Sequence, residues 1–417
     1  MIQVCTRCLY TSYHPLHLTF DEEGVCSGCR VHEEKDQLDW SERAEKLLAI
    51  FENYRNTSGN NYDCIVPVSG SRDSYFIVHT VKNVYGMNPL LVTYNKQYNT
   101  AVGVRNLANL RIRFNCDIMT LTVNPETVKN ITRSTLRRLG SLYWHCLAGQ
   151  TVYPVQMAVK LKIPLIVWGA HQGIDQVGMF SHLDEVEMTR KYRKEHDLMG
   201  YEAEDLIDDF DNIREVDIMP FLYPDNRELE QVGVRGIYLN NYIRWDSRTQ
   251  HEQMIRAFSY ETAKQTRTFD TYNDVDCWNY SDVHDYIKWL KYGYGKVIDH
   301  ASREIRLRHM TRAEGIFQVN KYLFEPPKNL SLFLDWLGIT KNAFNYIIDQ
   351  HRNLEIWERD ENWVWRLRNN LIGGLLQESE MKQSNAPSIV FTDFDLTQSG
   401  DSTDHPDKYI LIGKGKI

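Results

Sequence analysis

Two groups of residues in this chain have the types and spacing that chemistry requires. The first is a pair of cysteine knuckles, Cys5-x2-Cys8 and Cys26-x2-Cys29, with 17 residues between the pairs. Two such turns can present four thiolates to one tetrahedral ion, and the spacing is that of a zinc ribbon. Four thiolates leave no open coordination position, so the ion expected on Cys5, Cys8, Cys26 and Cys29 is structural Zn²⁺ rather than a catalytic one. Gly24 and Gly28 are expected to supply the tight backbone of the knuckles. The second group is the run Ser69-Gly70-Ser71-Arg72-Asp73-Ser74, which directly follows an apolar stretch. A small-residue turn that opens a helix aims backbone N–H groups at an anion, and the helix dipole adds positive potential there. Ser69, Gly70 and Ser71 let phosphate oxygens approach the backbone, and Ser74 offers a hydroxyl. Asp73 falls in the first helical turn, where it suits both helix stabilisation and Mg²⁺, and Arg72 suits a phosphate. The run is not a Walker A loop, which needs G-x4-G-K-[ST].

The elements around these groups alternate. Residues 62–68 read as a buried strand, followed by a helix to about residue 85; 89–94 is a second strand and 101–114 a helix. Residues 117–123 make a third strand, with helical sequence to 139, a helix over 151–161 and a fourth strand over 163–169. Strands spaced by helices imply parallel βαβ units, hence an α/β fold with a doubly wound sheet. A helix is expected over 41–54 ahead of it. Beyond Gly169, the charged stretch 181–217 reads as an insertion, helical in parts, and helices are expected over 281–292, 296–309 and 330–353. Thr311 and Glu314 form a capping box that starts another. The predicted organisation is a zinc-ribbon-like unit over 1–40, an α/β domain over 41–310, and a helical C-terminal region with an irregular polar tail over 311–417.

Composition narrows the class. Of 417 residues, 42% are hydrophobic and 25% charged, with a mean hydropathy of −0.49, as in a soluble globular protein. The best apolar run is far short of the roughly 20 residues a membrane span needs, and the first residues, MIQVCTRC, lack the regions of a secretory signal. No membrane insertion and a cytoplasmic location are expected. The net charge is −8. Residues 182–217 alone hold 13 acids and 5 bases, whereas 286–312 holds 7 bases and 2 acids. A local basic patch in an acidic chain suits a small phosphorylated ligand better than a nucleic acid.

The run Ser69–Ser74 resembles the SGGxDS PP-loop of the ATP pyrophosphatases, with Ser71 in place of the second glycine. Together with CTRC and CSGC, the segments VSGSRDS, YWHCLAGQ, IPLIVWGAHQG, YLNNYIRWD and KYGYGKVIDHASREIR resemble the N-acetyl sugar amidotransferase family of surface-polysaccharide (lipopolysaccharide O-antigen) biosynthesis. The likeness extends to about Tyr322. It implies an adenine-nucleotide α-hydrolase type of sheet. It also implies conversion of the acetamido group of a nucleotide sugar to an acetamidino group with ATP, Mg²⁺ and ammonia. The ammonia source would be a separate glutaminase with a cyclase-like companion; no Gly-x-Cys-x-Gly elbow for a glutaminase occurs in this chain.

Further residues carry alternatives. Thr93, Tyr94 and Asn95 end the second strand, where parallel sheets bind ligands; they suit an adenosine contact or a plain loop. His171 and Asp175 follow the fourth strand and suit Mg²⁺, phosphate or sugar binding, with His171 a catalytic candidate beside Asp73 and Arg72, or helix capping. His145 and Cys146 suit a reactive thiol or a buried inert one. Lys296, His300, Arg303 and Arg306, with Asp299 beside them, fall on one helical face. Residues 292–295 (Tyr-Gly-Tyr-Gly) precede them and let backbone approach a ligand. This face suits a substrate phosphate, and an exposed Arg303 is expected to contribute little to folding. Asn240, Asn241, Arg244, Trp245 and Asp246 suit sugar hydroxyls. The alternatives for the whole chain are a PP-loop enzyme that thiolates a tRNA base with reactive cysteines, and a non-catalytic zinc-ribbon scaffold.

Overall fold

The computed structural model describes residues 3–16, 18–208, 210–368, 389 and 391–395. Five short strands form its centre: β1 (Cys64–Pro67), β2 (Pro89–Tyr94), β3 (Ile118–Leu121), β4 (Leu165–Trp168) and β5 (Arg235–Tyr238). All are parallel, in the order β3-β2-β1-β4-β5. The chain therefore builds outward from β1 in one direction, crosses back, and builds outward from β4 in the other. The reversal between β1 and β4 leaves a crevice at their C-terminal ends, where open α/β sheets bind ligands.

Both faces of the sheet are covered. Cys64, Val66, Leu91, Leu165, Val167 and Ile237 point into one core. The alternate residues Ile65, Leu90, Val92 and Ile166 point into the other, with Val155 and Ala158. This period of two on the central strands β1, β2 and β4, which are buried on both faces, is what a doubly wound sheet requires. The helix Trp40–Tyr54, capped by Asp39, sends Leu47 and Phe51 into the first core, and the helix Trp144–Leu161 covers the second face. That helix starts seven residues before the expected start at 151. The first βα connection runs through Ser69–Ser71 into the helix Arg72–Val78, which continues as a wider-turned helix over His79–Val84.

The stretch 181–217 is helical in short pieces, including Arg190–Tyr192, Arg193–Asp197 and Glu215–Ile218. Leu198 and Leu206 of this stretch, and Ile218 just after it, pack against Trp144 and Ala148. After β5, the helices Ser247–Phe258, Trp278–Tyr292, Lys296–Arg306 and Arg312–Tyr322 follow. The capping box at Thr311 and Glu314 is present. The single helix expected over 330–353 is two, Leu330–Leu337 and Lys341–Asp349, because Gly338 adopts φ 74° and Thr340 caps the next helix. A hairpin of Trp357–Arg359 and Trp365–Leu367 follows. Most of the polar tail lies outside the described residues; within 391–395, Phe394 exchanges hydrogen bonds with Thr262. No helix among the described residues is long and apolar enough to cross a membrane.

The cysteine unit shares a core with the distant C-terminal helices. Leu9, Tyr10 and Val25 pack with Val297, Ala301, Ile316 and Val319, and the Leu9 N–H donates to Ser302 Oγ at 3.2 Å.

Candidate functional site

The loop after β1 is braced from within. The Ser69 N–H donates to Ser74 Oγ (2.9 Å), and the Ser71 N–H to Ser69 Oγ (3.1 Å). The Ser74 hydroxyl, expected to face a ligand, thus holds the loop closed. Ser71 is the N-cap with extended backbone, and its side chain makes no capping bond. A Cβ on Gly70 would overlap the backbone of Gly103, and one on Gly103 would overlap Asp276. Three backbone segments are therefore stacked at contact distance, and only glycine fits at the two crossings. Asp73 sits in the first turn and its carboxylate accepts from His251 Nε2 (3.2 Å). The role expected of the Arg72 side chain lies outside the described residues.

A cavity lies on each side of this loop. The smaller, about 300 Å³, is bounded by Ser69 and Gly70, by Thr93, Tyr94 and Asn95 at the end of β2, and by Leu107 and Ile118. The two loop residues and the three β2 residues expected around a nucleotide are thus brought together. Lys96 and Asp276 also line it, paired at 2.8 Å. Lys96 directly follows the three residues singled out in the sequence, so its place at a strand end was the signal that would have found it. Asp276 comes from a loop 180 residues away and gave none.

The larger cavity, about 420 Å³, has Asp73 on one wall and the helix Lys296–Arg306 on another. The four expected phosphate ligands all line it, but each is engaged by the protein. Lys296 pairs with Asp282 (2.5 Å) and Asp274 (3.6 Å). His300 Nδ1 bonds Thr268 Oγ1 (2.6 Å), Nε2 faces Asn273 Nδ2 (3.0 Å), and burial holds its pKa down at about 4, so it is neutral at pH 7. Arg303 is not exposed: its side chain is 15% accessible and bridges Asp270 (2.6 Å) and Glu304 (2.9 Å). Arg306 donates to the Gln176 carbonyl (2.5 Å) and lies 3.4 Å from the sulfurs of Cys26 and Cys29. The helical spacing put these groups on one face, as expected, but the facing carboxylates and sulfurs come from other elements. The cavity is lined by six aspartates against four lysines and arginines, so its walls are acidic on balance.

The cysteine unit also reaches this cavity. Tyr10 donates to Asp299 Oδ1 (2.9 Å), and His14 bonds Tyr294 (3.1 Å); both line the wall. Neither was signalled by the sequence, because their partners are some 280 residues away. Burial raises Asp299, but Lys288 and His14 outweigh it and hold the carboxyl well below its ordinary range.

Other expectations are corrected. His171 lines neither cavity; it caps the helix Gln172–Asp175 by accepting from the Gly173 N–H and packs against Tyr192 and Tyr238. Burial, with His196 nearby, lowers it to about 4. Asp175 lines the larger cavity and pairs with Lys35 (2.5 Å). The residues expected on sugar hydroxyls are structural instead. Asn240 accepts from the His171 N–H, Asn241 donates to the Val186 carbonyl, Arg244 pairs with Asp36, and Asp246 caps the helix Ser247–Phe258. Trp245 is buried against Phe76. Burial pushes the thiols of Cys146 and Cys64 well up and that of Cys277 up to about 12, so these three are not thiolates at neutral pH.

The four knuckle cysteines converge, their sulfurs all within 4.8 Å of one another and buried. Cys5 and Cys29 are 3.9 Å apart, and Cys8 and Cys26 3.6 Å. A tetrahedral ion with bonds of about 2.3 Å needs sulfurs about 3.8 Å apart, so the set fits Zn²⁺. Gly24 has φ 71°, as a tight knuckle needs, but Gly28 serves another end: a Cβ there would overlap Arg306.

Residues 266–371 match the family model described as the C-terminal domain of WbpG-like LPS biosynthesis proteins. The matched segment includes the helix Lys296–Arg306 and the aspartates that neutralise it. A stretch of 117 residues is 24% identical to an uncharacterized protein of Methanocaldococcus jannaschii, covering 28% of this chain and 42% of that protein. The chain thus spans less than half the length of that curated relative. The segment that builds the cationic wall of the larger cavity is therefore similar to a domain of lipopolysaccharide-biosynthesis proteins.

Proposed function

We propose that this protein acts in polysaccharide biosynthesis as an ATP-dependent amidotransferase that converts the acetamido group of an N-acetylated nucleotide sugar to an acetamidino group. The observation that carries the reading is the Ser69–Ser74 loop at the β1–β4 reversal, with a cavity on either side. The smaller, more apolar cavity suits adenosine and the larger a sugar, so that the α-phosphate of ATP would fall between them at the loop. The similarity of residues 266–371 to the WbpG-like domain supports the polysaccharide context.

An amide carbonyl is a poor electrophile and its oxygen a poor leaving group. Attack of that oxygen on the α-phosphorus of ATP expels pyrophosphate and gives an adenylyl imidate; ammonia then adds at carbon and AMP departs. In this scheme the start of the helix at Arg72, rather than the Ser69 and Ser71 N–H groups that brace the loop, stabilises the negative charge that builds up on the leaving pyrophosphate, and the stacked glycine backbones fix the two substrates in line. Asp73 would hold Mg²⁺, which would supply the charge neutralisation that the acidic walls do not. No side-chain nucleophile is needed. Cys5, Cys8, Cys26 and Cys29 would hold a structural Zn²⁺. A separate glutaminase with a cyclase-like companion would supply ammonia, docking on the acidic surface of 182–217 through a basic face.

The test is incubation with ATP, Mg²⁺, ammonium and a panel of UDP-N-acetyl sugars. AMP and pyrophosphate should appear, with a sugar product lighter by about 1 Da, since NH replaces O. Glutamine should support turnover only when a glutaminase is added. ADP and phosphate as products, or turnover with neither nitrogen source, would refute the reading. Asp73→Ala should lower the rate at least tenfold, about 1.4 kcal/mol of transition-state stabilisation; an unchanged rate would reduce Asp73 to a stabiliser of the helix start.

A further inference from the structure

Of the six aspartates that line the larger cavity, one has neither a role in the scheme above nor a hydrogen bond or ion pair among the described residues. Asp197 ends the wide-turned helix Arg193–Asp197 of the acidic insertion and lines the cavity beside His196 and Leu147. The other five aspartates of that wall are each engaged: Asp73 with His251, Asp175 with Lys35, Asp274 with Lys296, Asp285 with Arg267 and Asp299 with Tyr10. Among the described residues, none gives Asp197 a hydrogen bond or an ion pair. The charged and titratable groups around it are Arg193, Tyr192 and His196 on its own turn, and Tyr238 at the end of β5. Arg193 bonds Glu202 (2.6 Å) through Nη1 and Thr151 (2.9 Å) through Nε; its Nη2 makes no hydrogen bond, and its charge acts on Asp197 only from a distance, against the larger effect of burial. Asp197 is half-buried, and a carboxylate that faces a cavity without a hydrogen bond is costly to shield from water unless something in the cavity answers it.

We propose that Asp197 is the proton shuttle of the ammonia step and the counter-charge of the cation formed there; the inference rests on the amidotransferase reading. When ammonia adds to the imidate carbon, a C–N bond forms and the new nitrogen carries three hydrogens and a positive charge. Asp197 takes one of those protons and passes it to the sugar-borne nitrogen. The C–O bond to the adenylyl group then breaks, its electron pair leaves with AMP, and the positive charge spreads over both nitrogens of an amidinium. A planar amidinium pairs with a carboxylate through two N–H bonds, as a guanidinium does. The acidic surplus of the cavity, which ill suits a bare phosphate, suits this product. The surplus of acids in the surrounding insertion draws ammonium toward the same mouth. Burial raises the Asp197 carboxyl to about 6, so it is ionised, and able to accept a proton, at neutral pH.

The test uses Asp197→Asn in the full chain with two readouts. Exchange of labelled pyrophosphate into ATP, dependent on the sugar panel and run without ammonium, reports imidate formation; amidine formation with ammonium chloride reports the second step. The variant should keep exchange within about threefold and lose at least 100-fold in amidine formation, the usual scale of general acid–base catalysis. The wild-type to variant rate ratio, in which the ionisation of ammonium cancels, should be largest near pH 8 and shrink as the pH falls below about 6. Melting at pH 8 should not drop, because the substitution removes a half-buried charge without removing a hydrogen bond. If exchange and amidine formation fall together, if neither falls, or if the ratio is flat with pH, the role of Asp197 is overturned. Absence of both activities in the wild type would instead sink the amidotransferase reading itself.

Discussion

Cys26→Ser is expected to unfold the cysteine unit and to inactivate the protein. Wild-type chains should carry about one zinc each, and the variant close to none. A thiolate lost from a four-sulfur site removes much of a binding free energy of about 10–16 kcal/mol for structural zinc, comparable to the whole stability of a typical domain, about 5–15 kcal/mol. The damage should travel, because Tyr10 and His14 line the larger cavity and Arg306 lies against three of the four sulfurs. A tetrathiolate zinc would be doubly negative, and Arg306 is placed to act as a counter-charge; without the ion, that guanidinium would be left over a disordered wall. Elemental analysis, protease sensitivity and thermal melting read the outcome. A metal-free variant with unchanged melting and full activity would show that the four sulfurs are merely packed.

Arg303→Ala is expected to cost about 3–5 kcal/mol of stability, the usual price of removing one partner of a buried ion pair. Asp270 and Glu304 are both fully buried beneath it. Asp270 keeps N–H bonds from Tyr272 and Asn273, which places the loss toward the lower end. The urea midpoint should fall at unchanged slope. Arg303→Lys should restore only part, because one ammonium cannot fork to two carboxylates as a guanidinium does. Near-wild-type stability in Arg303→Ala, with substrate binding lost, would make the arginine a ligand contact first and an ion-pair member second.

Much of the sheet was legible because parallel strands are written as dense apolar runs. β2 spans the expected residues 89–94, and the helix Ala101–Arg113 ends one residue short. β5 was missed because four residues that open with an arginine, Arg235-Gly236-Ile237-Tyr238, carry no such run; its place is set by pairing with β4. At the site, local chemistry was legible: the loop, the cysteines, and the strand-end position of Thr93–Asn95. What a neighbouring element does to a side chain was not. Spacing placed Lys296, His300, Arg303 and Arg306 on one face, but not Asp282, Thr268, Asp270 and the cysteine sulfurs opposite them. His171 had the right position after β4, yet its ring turned to the nearest open N–H, that of Gly173, which is the cheaper partner for a short helix start.

The shared core of the cysteine unit and the last helices has a consequence for biosynthesis. Leu9, Tyr10 and Val25 emerge from the ribosome ahead of Val297, Ala301, Ile316 and Val319, which follow nearly three hundred residues later. At about 5–20 residues per second the wait is on the order of 15–60 s, during which the sheet between them can fold by itself. Early metal capture by the four cysteines would give the nascent end a local fold to hold while its apolar face stays open. A cell starved of zinc should then lose this protein chiefly at synthesis, as aggregated new chains, while molecules already complete persist.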